Sequence, residues 1–414
     1  MNTSQAMSHR SKRILISLGL VCLVLLTLMV GWGAAKGPKP SVAAATASAT
    51  TTTNRANTPT SPNSSSRNAG TLVTDEQSPS EAIATFRKRL ALVIAQPKLT
   101  DDQRKSEVMA LLTALRESLA KAAPDAAAKA IQQVLNSGQD SPTGLGFTLA
   151  PGGALQEAPS LRAALLDLLA RVDPAASIEQ ARKVFAHSES PDEWALALRN
   201  LGWQNTQGEH TTELRDRFNQ MINNDAWLAQ PTQGMLEAFD TAVHLGGPQE
   251  LSQIVSLVKP MDATGKPVEN GITHAAFLAL DRLTVNNPEQ TFTALLNDSQ
   301  MLSWSPAHRA GVLARADISQ PTQRQQLERY LSTLKPGSEE LKTFTRLFPN
   351  HNGSLGNNLI TTAPAAPKRE HLIRKDQASL MALKSWIDVN RFPPITGELK
   401  NTHSRLKQML VGQE

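Results

Sequence analysis

The chain has 414 residues, a formal net charge of +5 and a single cysteine, Cys22. The positive charge comes from the two ends. Residues 1–40 hold five Lys and Arg and no acidic residue, residues 368–414 hold nine Lys and Arg against five acidic residues, and the remainder has four more acidic than basic residues. No basic stripe interleaves with aromatic residues, so the charge does not indicate nucleic-acid binding. One cysteine excludes an intramolecular disulfide and a site built from several cysteines.

Residues 14–35 form an uncharged, apolar run that follows a basic cluster at residues 10–13. A helix rises about 1.5 Å per residue, so this run can span a hydrocarbon layer about 30 Å thick. The basic flank predicts a single-pass signal-anchor with residues 1–13 in the cytoplasm and the bulk of the chain on the periplasmic, extracytoplasmic side. The alternative is a cleaved secretory signal with its cleavage site at residues 33–35 or 43–45, although a signal core usually has about 7 to 15 residues.

Residues 36–76 consist mainly of Ala, Thr, Ser, Asn, Pro and Gly. Such low-complexity sequence offers almost nothing large to bury, which predicts a disordered linker. A random coil of about 40 residues has a root-mean-square reach of about 30 to 40 Å. We therefore expect the folded part to be tethered at a distance from the bilayer.

Helical periodicity begins near residue 79. Three start signals, at Ser78-Pro79, Thr100-Asp101 and Pro124-Asp125, precede apolar residues spaced three and four apart, and they predict a helical group over residues 77–138. The glycine-rich residues 139–158 interrupt this pattern and predict a loop.

Prolines then recur at nearly even distances, each where a helix is expected to begin, because the first helical position needs no amide hydrogen. Several neighbouring prolines are 15 to 18 residues apart, which corresponds to one helix and a short loop, and pairs of such units give repeats of roughly 31 to 41 residues. A two-helix unit cannot bury its own apolar stripe, so successive units must stack. The prolines are Pro159, Pro174, Pro191, Pro231, Pro248, Pro288, Pro306 and Pro321.

The stretch from Leu161 to Pro174 resembles a unit of HEAT-like and related α-solenoid proteins, and the resemblance covers roughly residues 159–335. HEAT repeats place an Asp at the turn between the helices and an Arg early in the second helix. Asp173 matches the first feature, whereas Arg182 comes nine residues later, further than the family pattern. The resemblance implies an all-α solenoid whose surface binds another macromolecule without chemistry of its own.

Motifs of catalysis or cofactor binding are absent from the sequence. The nine histidines include no His-Glu-x-x-His pattern, so no zinc hydrolase is indicated. Gly144 and Gly146 begin a dinucleotide-like pattern, but Leu149 stands where the third glycine is needed. Neither a Walker loop nor Gly-x-Ser-x-Gly occurs. We predict no catalytic, cofactor-binding or metal-binding residues and no cofactor.

An enzyme remains the alternative hypothesis, because a glycan-acting enzyme with an α/α helical fold needs only two carboxylates in a cleft. Glu193, Asp240 and Glu237 are the candidate acids. Sugar sites usually also present aromatic faces, and this chain has ten Phe, six Trp and one Tyr. Several of them fall on helical stripes, where core packing is the simpler explanation. These are Trp194, Phe239, Phe277 and Phe292.

The C-terminal part resumes the helical pattern after a second break. Residues 349–368 predict a linker, and residues 369–414 predict amphipathic helices. These helices either dock a partner or anionic lipid, or fold back to cover the last repeat.

The predicted organisation is all-α, with an N-terminal transmembrane helix, a disordered linker and an α-solenoid of stacked helix pairs. The predicted function is a membrane-anchored extracytoplasmic scaffold for protein–protein interaction, bound to an unknown protein at the cell envelope. The predicted segments are the cytoplasmic tail 1–13, the transmembrane helix 14–35, the linker 36–76, the helical group 77–138, the loop 139–158, the HEAT-like repeats 159–348, the linker 349–368 and the C-terminal helices 369–414.

Overall fold

A computed structural model describes residues 77–258, 271–299, 301–352, 357–362 and 367–411. All of them belong to one compact unit. The predicted transmembrane helix 14–35 and the predicted linker 36–76 lie outside the described residues. Within the described ranges, no helix combines the length and the apolar character that crossing a bilayer requires.

The described part of the chain is all-α: helices make up about 70% of it, and its strands form one small hairpin. A 3-10 turn at Pro393–Ile395 precedes the last helix. The helices are α1 Pro79–Ile94, α2 Asp101–Lys121, α3 Pro124–Asn136, α4 Leu161–Val172, α5 Pro174–His187, α6 Pro191–Trp203, α7 Thr211–Ile222, α8 Asp225–Ala229, α9 Gln233–Glu237, α10 Asp240–Leu245, α11 Pro248–Leu257, α12 Gly271–Asn286, α13 Pro288–Asn297, α14 Pro306–Leu313, α15 Pro321–Leu331, α16 Glu339–Leu347, α17 Arg369–Asp388 and α18 Thr396–Val411.

Side-chain caps and prolines start most of these helices, as the sequence predicts. Ser78 and Thr100 each form a reciprocal capping box, with Glu81 and Gln103 respectively. Six of the eight evenly spaced prolines are the first residue of a helix: Pro174, Pro191, Pro248, Pro288, Pro306 and Pro321. The other two, Pro159 and Pro231, precede Ser160 and Thr232 respectively. Each of these residues is the N-cap of the following helix, and its side chain accepts a backbone amide hydrogen of the first turn.

The glycine-rich segment 139–158 contains the hairpin, formed by β1 Thr148–Leu149 and the antiparallel β2 Leu155–Glu157. Its turn contains Gly152 and Gly153, both with positive φ. The guanidinium of Arg116, on α2, donates to the carbonyl oxygens of Leu155 and Gln156 at 3.0 and 3.2 Å. The hairpin therefore connects the N-terminal helices to the repeats as a packed element.

From α4 onward the helices stack in two rows. The first row contains α4, α6, α9 with α10, α12, α14 and α16, and the second row contains α5, α7, α11, α13 and α15. Several neighbours within a row are in contact, for example α4 with α6, α10 with α12 and α13 with α15. Contacts between rows include α5 with α6 and α11 with α12. This arrangement is compatible with a helical-repeat, α-solenoid-like fold.

Charged pairs link equivalent helices of successive repeats. Arg162 of α4 pairs with Glu193 of α6, 31 residues along the chain, and Arg182 of α5 pairs with Glu213 of α7, also 31 residues along. The next pair in the second row joins Arg215 of α7 to Glu250 of α11, 35 residues along the chain. These separations match the repeat length that the proline spacing predicts.

The helix expected to begin at Pro231 is divided in the structure into α9 and α10. Between them the amide of Phe239 donates to Leu236, and that of Thr241 to Ala238, so the backbone bonds run from i to i−3. A short 3-10 stretch within a helix often marks a functional hinge or a strained sequence. Asp240 lies in this tightened segment.

The C-terminal helices pack against the last repeats. Helix α18 contacts α16 and α17. The indole nitrogen of Trp386, on α17, donates to Glu328 of α15 at 2.8 Å, and Arg405 of α18 donates to the carbonyl oxygen of Thr345 at 3.2 Å. This is the geometry expected of a helical pair that covers the end of the repeats.

Candidate functional site: a strap on the first-row helices

Residues 357–362, which we call the strap, lie on the first-row helices, although they fall in the predicted linker 349–368. Leu359 is fully buried, and Asn358 is 4% exposed. The side-chain amide of Asn357 donates to the carbonyl oxygen of Leu149 in β1 at 2.8 Å. A segment with linker-like composition is therefore partly built into the folded unit.

Asp240, one of the three candidate acids, holds the strap. Its carboxylate is fully buried at the start of α10. Oδ2 accepts the amide hydrogens of Ile360 and Thr361 at 2.8 and 2.7 Å, and Oδ1 accepts the hydroxyl of Thr361 at 2.7 Å. The nearest cation, Nη1 of Arg282 on α12, is 3.7 Å from Oδ1. Donors from the strap thus supply most of the compensation that this buried carboxylate requires.

Two glycines make room for the strap. Gly153 has φ +77°, and a Cβ on it would lie 2.2 Å from the carbonyl oxygen of Leu359. A Cβ on Gly202, in α6, would lie 3.1 Å from Cδ1 and 3.2 Å from Cγ2 of Ile360. The strap backbone therefore approaches the hairpin turn, and the Ile360 side chain approaches the backbone of α6, more closely than most larger residues would allow.

A buried polar network lies beneath the hairpin turn. Arg199 of α6 is completely buried, and its Nη1 donates to Asp167 of α4 at 2.6 Å and to the carbonyl oxygen of Gly153 at 2.9 Å. Its remaining nitrogens donate to Asn200, and its guanidinium lies 4.2 Å from the ring centroid of Trp203. Burial lowers the pKa of Arg199 from its ordinary value, and Asp167 opposes that shift. The network fixes the same turn that the strap contacts.

The second candidate acid, Glu193, is engaged within the chain. It lies in the first turn of α6, is 5% exposed, and accepts two hydrogen bonds from the guanidinium of Arg162 at 2.7 and 3.1 Å. This two-point pairing suits a carboxylate that connects neighbouring helices.

The third candidate acid, Glu237, is half-buried at the end of α9. It accepts a hydrogen bond from the side chain of Gln233 at 2.8 Å. Burial raises its pKa above the ordinary value, and this effect outweighs the opposing hydrogen bond and the nearby charge of Arg282. The contacts of the three acids involve groups of the protein itself, so they do not favour the glycan-cleaving alternative.

The four aromatic residues singled out in the sequence analysis occupy packing positions. Trp194, Phe239 and Phe292 are buried, and Phe277 stacks on His308 with ring centroids 4.2 Å apart. Among the described residues, no group of three His, Cys, Asp or Glu has a geometry that could hold a metal ion.

A cavity of about 380 Å³ adjoins the strap at Asn358. Its wall includes three cations, Arg282, Arg315 and Lys375, and each of them lies within 4.0 Å of a carboxylate. The cations in its wall are neutralised by these carboxylates, so they do not indicate the charge of a ligand.

Sequence reasoning did not identify the strap or the Asp167–Arg199 pair. One signal for the strap is present, because Leu359 and Ile360 are adjacent aliphatic residues inside an otherwise polar stretch. For Arg199 the signal is its place within the apolar stripe of α6, where a charged residue needs a buried partner.

Comparison with models of known protein families, with curated proteins and with solved structures gives no match for this chain. A proposal for the function of this chain must therefore rest on the fold and on the contacts of the strap.

Proposed function

We propose that this protein is a membrane-anchored scaffold, that residues 14–35 form its anchor, and that a HEAT-like repeat domain on the extracytoplasmic side binds a protein partner. The anchor rests on the length and basic flank of the apolar run. The HEAT-like assignment rests on the repeat length and on Asp173, which caps α5 by accepting the amide hydrogen of Ala176 at 2.9 Å.

The strap is the observation that carries the binding role. The strap, more than 100 residues distant in sequence, lies on three elements of the unit, at Leu149 of the hairpin, Gly202 of α6 and Asp240 of α10. A surface that holds a short non-helical segment of its own chain has the donors, acceptors and apolar contacts that peptide recognition uses. Helical-repeat proteins present extended surfaces of this kind.

The membrane topology can be tested with cysteine labelling of the full-length chain. Cys22 is the natural cysteine and lies inside the predicted span, so we expect a membrane-impermeant maleimide not to reach it. Asp216→Cys, on the exposed face of α7, should react in intact cells, whereas Ser4→Cys should react only after lysis. Labelling of Ser4→Cys in intact cells, or recovery of the full-length chain in the soluble fraction, would refute the anchored orientation.

The scaffold role can be tested by photo-crosslinking in the native membrane. A photoreactive residue replaces Gln204, at the end of first-row helix α6, or Gln220, on second-row helix α7. We expect a discrete adduct with a different polypeptide from at least one of these positions. If the only products are the monomer and a dimer of the chain itself, the scaffold proposal is wrong.

A further inference from the structure

An open groove is lined by the end of α3, by α5 and by the start of α6, and we call it the α3–α5 groove. Its volume is about 770 Å³. The buried part of its lining, its floor, includes Leu135, Val184 and Glu193, whereas Lys183 and Glu189 are exposed at its rim. A small-molecule pocket typically buries about 70–90% of its ligand. An open groove suits instead a stretch of a longer chain that stays partly in solvent.

Gln180 of α5 places an unused hydrogen-bonding group in this groove. The residue is only 3% exposed and belongs to the groove lining. Neither atom of its side-chain amide forms a hydrogen bond with another of the described residues, and neither atom is closed off from solvent. A buried amide without partners is costly. The position therefore favours a ligand that supplies both a donor and an acceptor.

A glutamine elsewhere in the second row has its partners within the chain. The side-chain amide of Gln326, on α15, donates to a carbonyl oxygen and to the Thr293 hydroxyl of α13, at 2.8 and 2.7 Å. Gln180 lies across the groove from the end of α3 and makes no such bond. The hydrogen bond between the two helices is at the exposed rim, where Lys183 donates to Asn136 at 3.0 Å. The floor of the groove thus keeps a free amide where another repeat uses one to join its helices.

The chemistry of the groove fits the backbone of a polypeptide. In an extended segment the N–H and C=O of one residue point to the same side, so the amide of Gln180 can accept from one and donate to the other. Buried Leu135 and Val184 offer apolar contact to a neighbouring side chain. The charges of the lining nearly cancel, with two Lys and Arg against three Asp and Glu, and the innermost pair, Arg162 and Glu193, is joined by two hydrogen bonds. An uncharged segment therefore suits the floor.

We propose that the α3–α5 groove binds an extended, uncharged segment of a partner polypeptide, and that Gln180 holds the backbone of this segment through one donor and one acceptor. This inference rests on the proposed scaffold function and names the place where the partner binds. It requires no movement of the strap, which lies on other elements of the unit.

The test places a photoreactive residue at His187, on the exposed rim, in the full-length chain in its native membrane. We expect an adduct with a different polypeptide, which mass spectrometry maps to one short segment of that partner. Gln180→Leu should lower the adduct yield by about tenfold, as expected for the loss of two hydrogen bonds of ordinary strength. Gln325→Leu, at an exposed position of α15, is the matched control and should leave the yield unchanged.

Stability separates a binding role of Gln180 from a structural one. Gln180→Leu replaces an amide without partners by an apolar side chain of similar size, so urea titrations in detergent should find it at least as stable as the native chain. Gln326→Leu, which loses two hydrogen bonds to α13, should be less stable. A clear loss of stability in Gln180→Leu would show that the amide supports the fold, and would overturn the proposal.

Four results at position 187 would also overturn it. These are the absence of a polypeptide adduct, an adduct with a second copy of this chain, an adduct of low mass that identifies a small molecule, and a yield that Gln180→Leu does not change. Failure of the groove is distinguishable from failure of the scaffold role. Heterologous adducts at Gln204 or Gln220 with none at position 187 would reject the groove and leave the scaffold role supported.

Discussion

Asp240 and Thr361 are 121 residues apart in the chain, and the carboxylate of the first accepts both the amide hydrogen and the hydroxyl of the second at 2.7 Å. Asp240 was a candidate acid because it is a carboxylate on a helix. It is completely buried, and its hydrogen-bond donors are the backbone and hydroxyl groups of the strap. The same side chain that suggests catalysis from sequence thus supports recognition of a peptide backbone in the structure.

Replacement of Asp240 should release the strap. Asp240→Ala removes three hydrogen bonds to a charged acceptor, and we expect the free energy of unfolding to fall by about 2–4 kcal/mol, with faster hydrogen exchange at Ile360 and Thr361. Asp240→Asn should cost less, because its oxygen can still accept the two amides while its NH2 donates to the Thr361 hydroxyl. Asp216→Ala, at an exposed site, is the control. Unchanged exchange of the strap amides in Asp240→Ala would contradict this account.

Gly202 should tolerate alanine but not a large side chain. An alanine Cβ requires Ile360 to move by only a few tenths of an ångström, and alanine favours the helix over glycine by about 1 kcal/mol, so Gly202→Ala should be nearly neutral. Gly202→Leu should displace the strap, which hydrogen exchange over residues 357–362 would detect.

A second substitution tests whether the effect acts through the strap. Ile360→Ala should recover part of the stability lost in Gly202→Leu, so that the two changes are strongly non-additive. Additive effects would show that residue 202 acts on α6 alone.

The sequence predicted the helices well because their boundaries depend on local chemistry. Pro174, Pro191 and Pro248 begin helices for reasons contained within one turn, and the capping box at Ser78 involves residues three apart. The repeat length followed from the same signals. The strap could not be predicted in this way, because its partner Asp240 is 120 residues distant and the composition around it is that of a linker.

Arg199 and Arg171 both pair with Asp167 at 2.6 Å, but they differ in burial. The Arg199 side chain is fully buried, whereas that of Arg171 is 46% exposed. Arg199→Met should lower the free energy of unfolding by about 3–5 kcal/mol, because it leaves buried Asp167 without its inner partner. Arg171→Met should cost at most about 1 kcal/mol. Chemical denaturation of both variants tests this difference, and equal losses would show that burial does not decide the contribution of the pair.

His308 and His244 should each contribute a loss of stability as the pH is lowered from about 7.5 to 5.5. Burial lowers the pKa of His308 below its ordinary 6.5, although Asp281 opposes the shift, and burial has the same effect on His244. Below pH 6.5 the unfolded chain therefore binds protons more readily than the folded chain, and stability is lost as the pH falls. His308→Gln should reduce this dependence in urea titrations, and adding His244→Gln should reduce it further. Above about pH 7.5 both residues are neutral in either state, so the variants and the native chain should respond to pH alike. A steeper loss at low pH in the double variant would show that these rings are stabilised in their charged form, contrary to their burial.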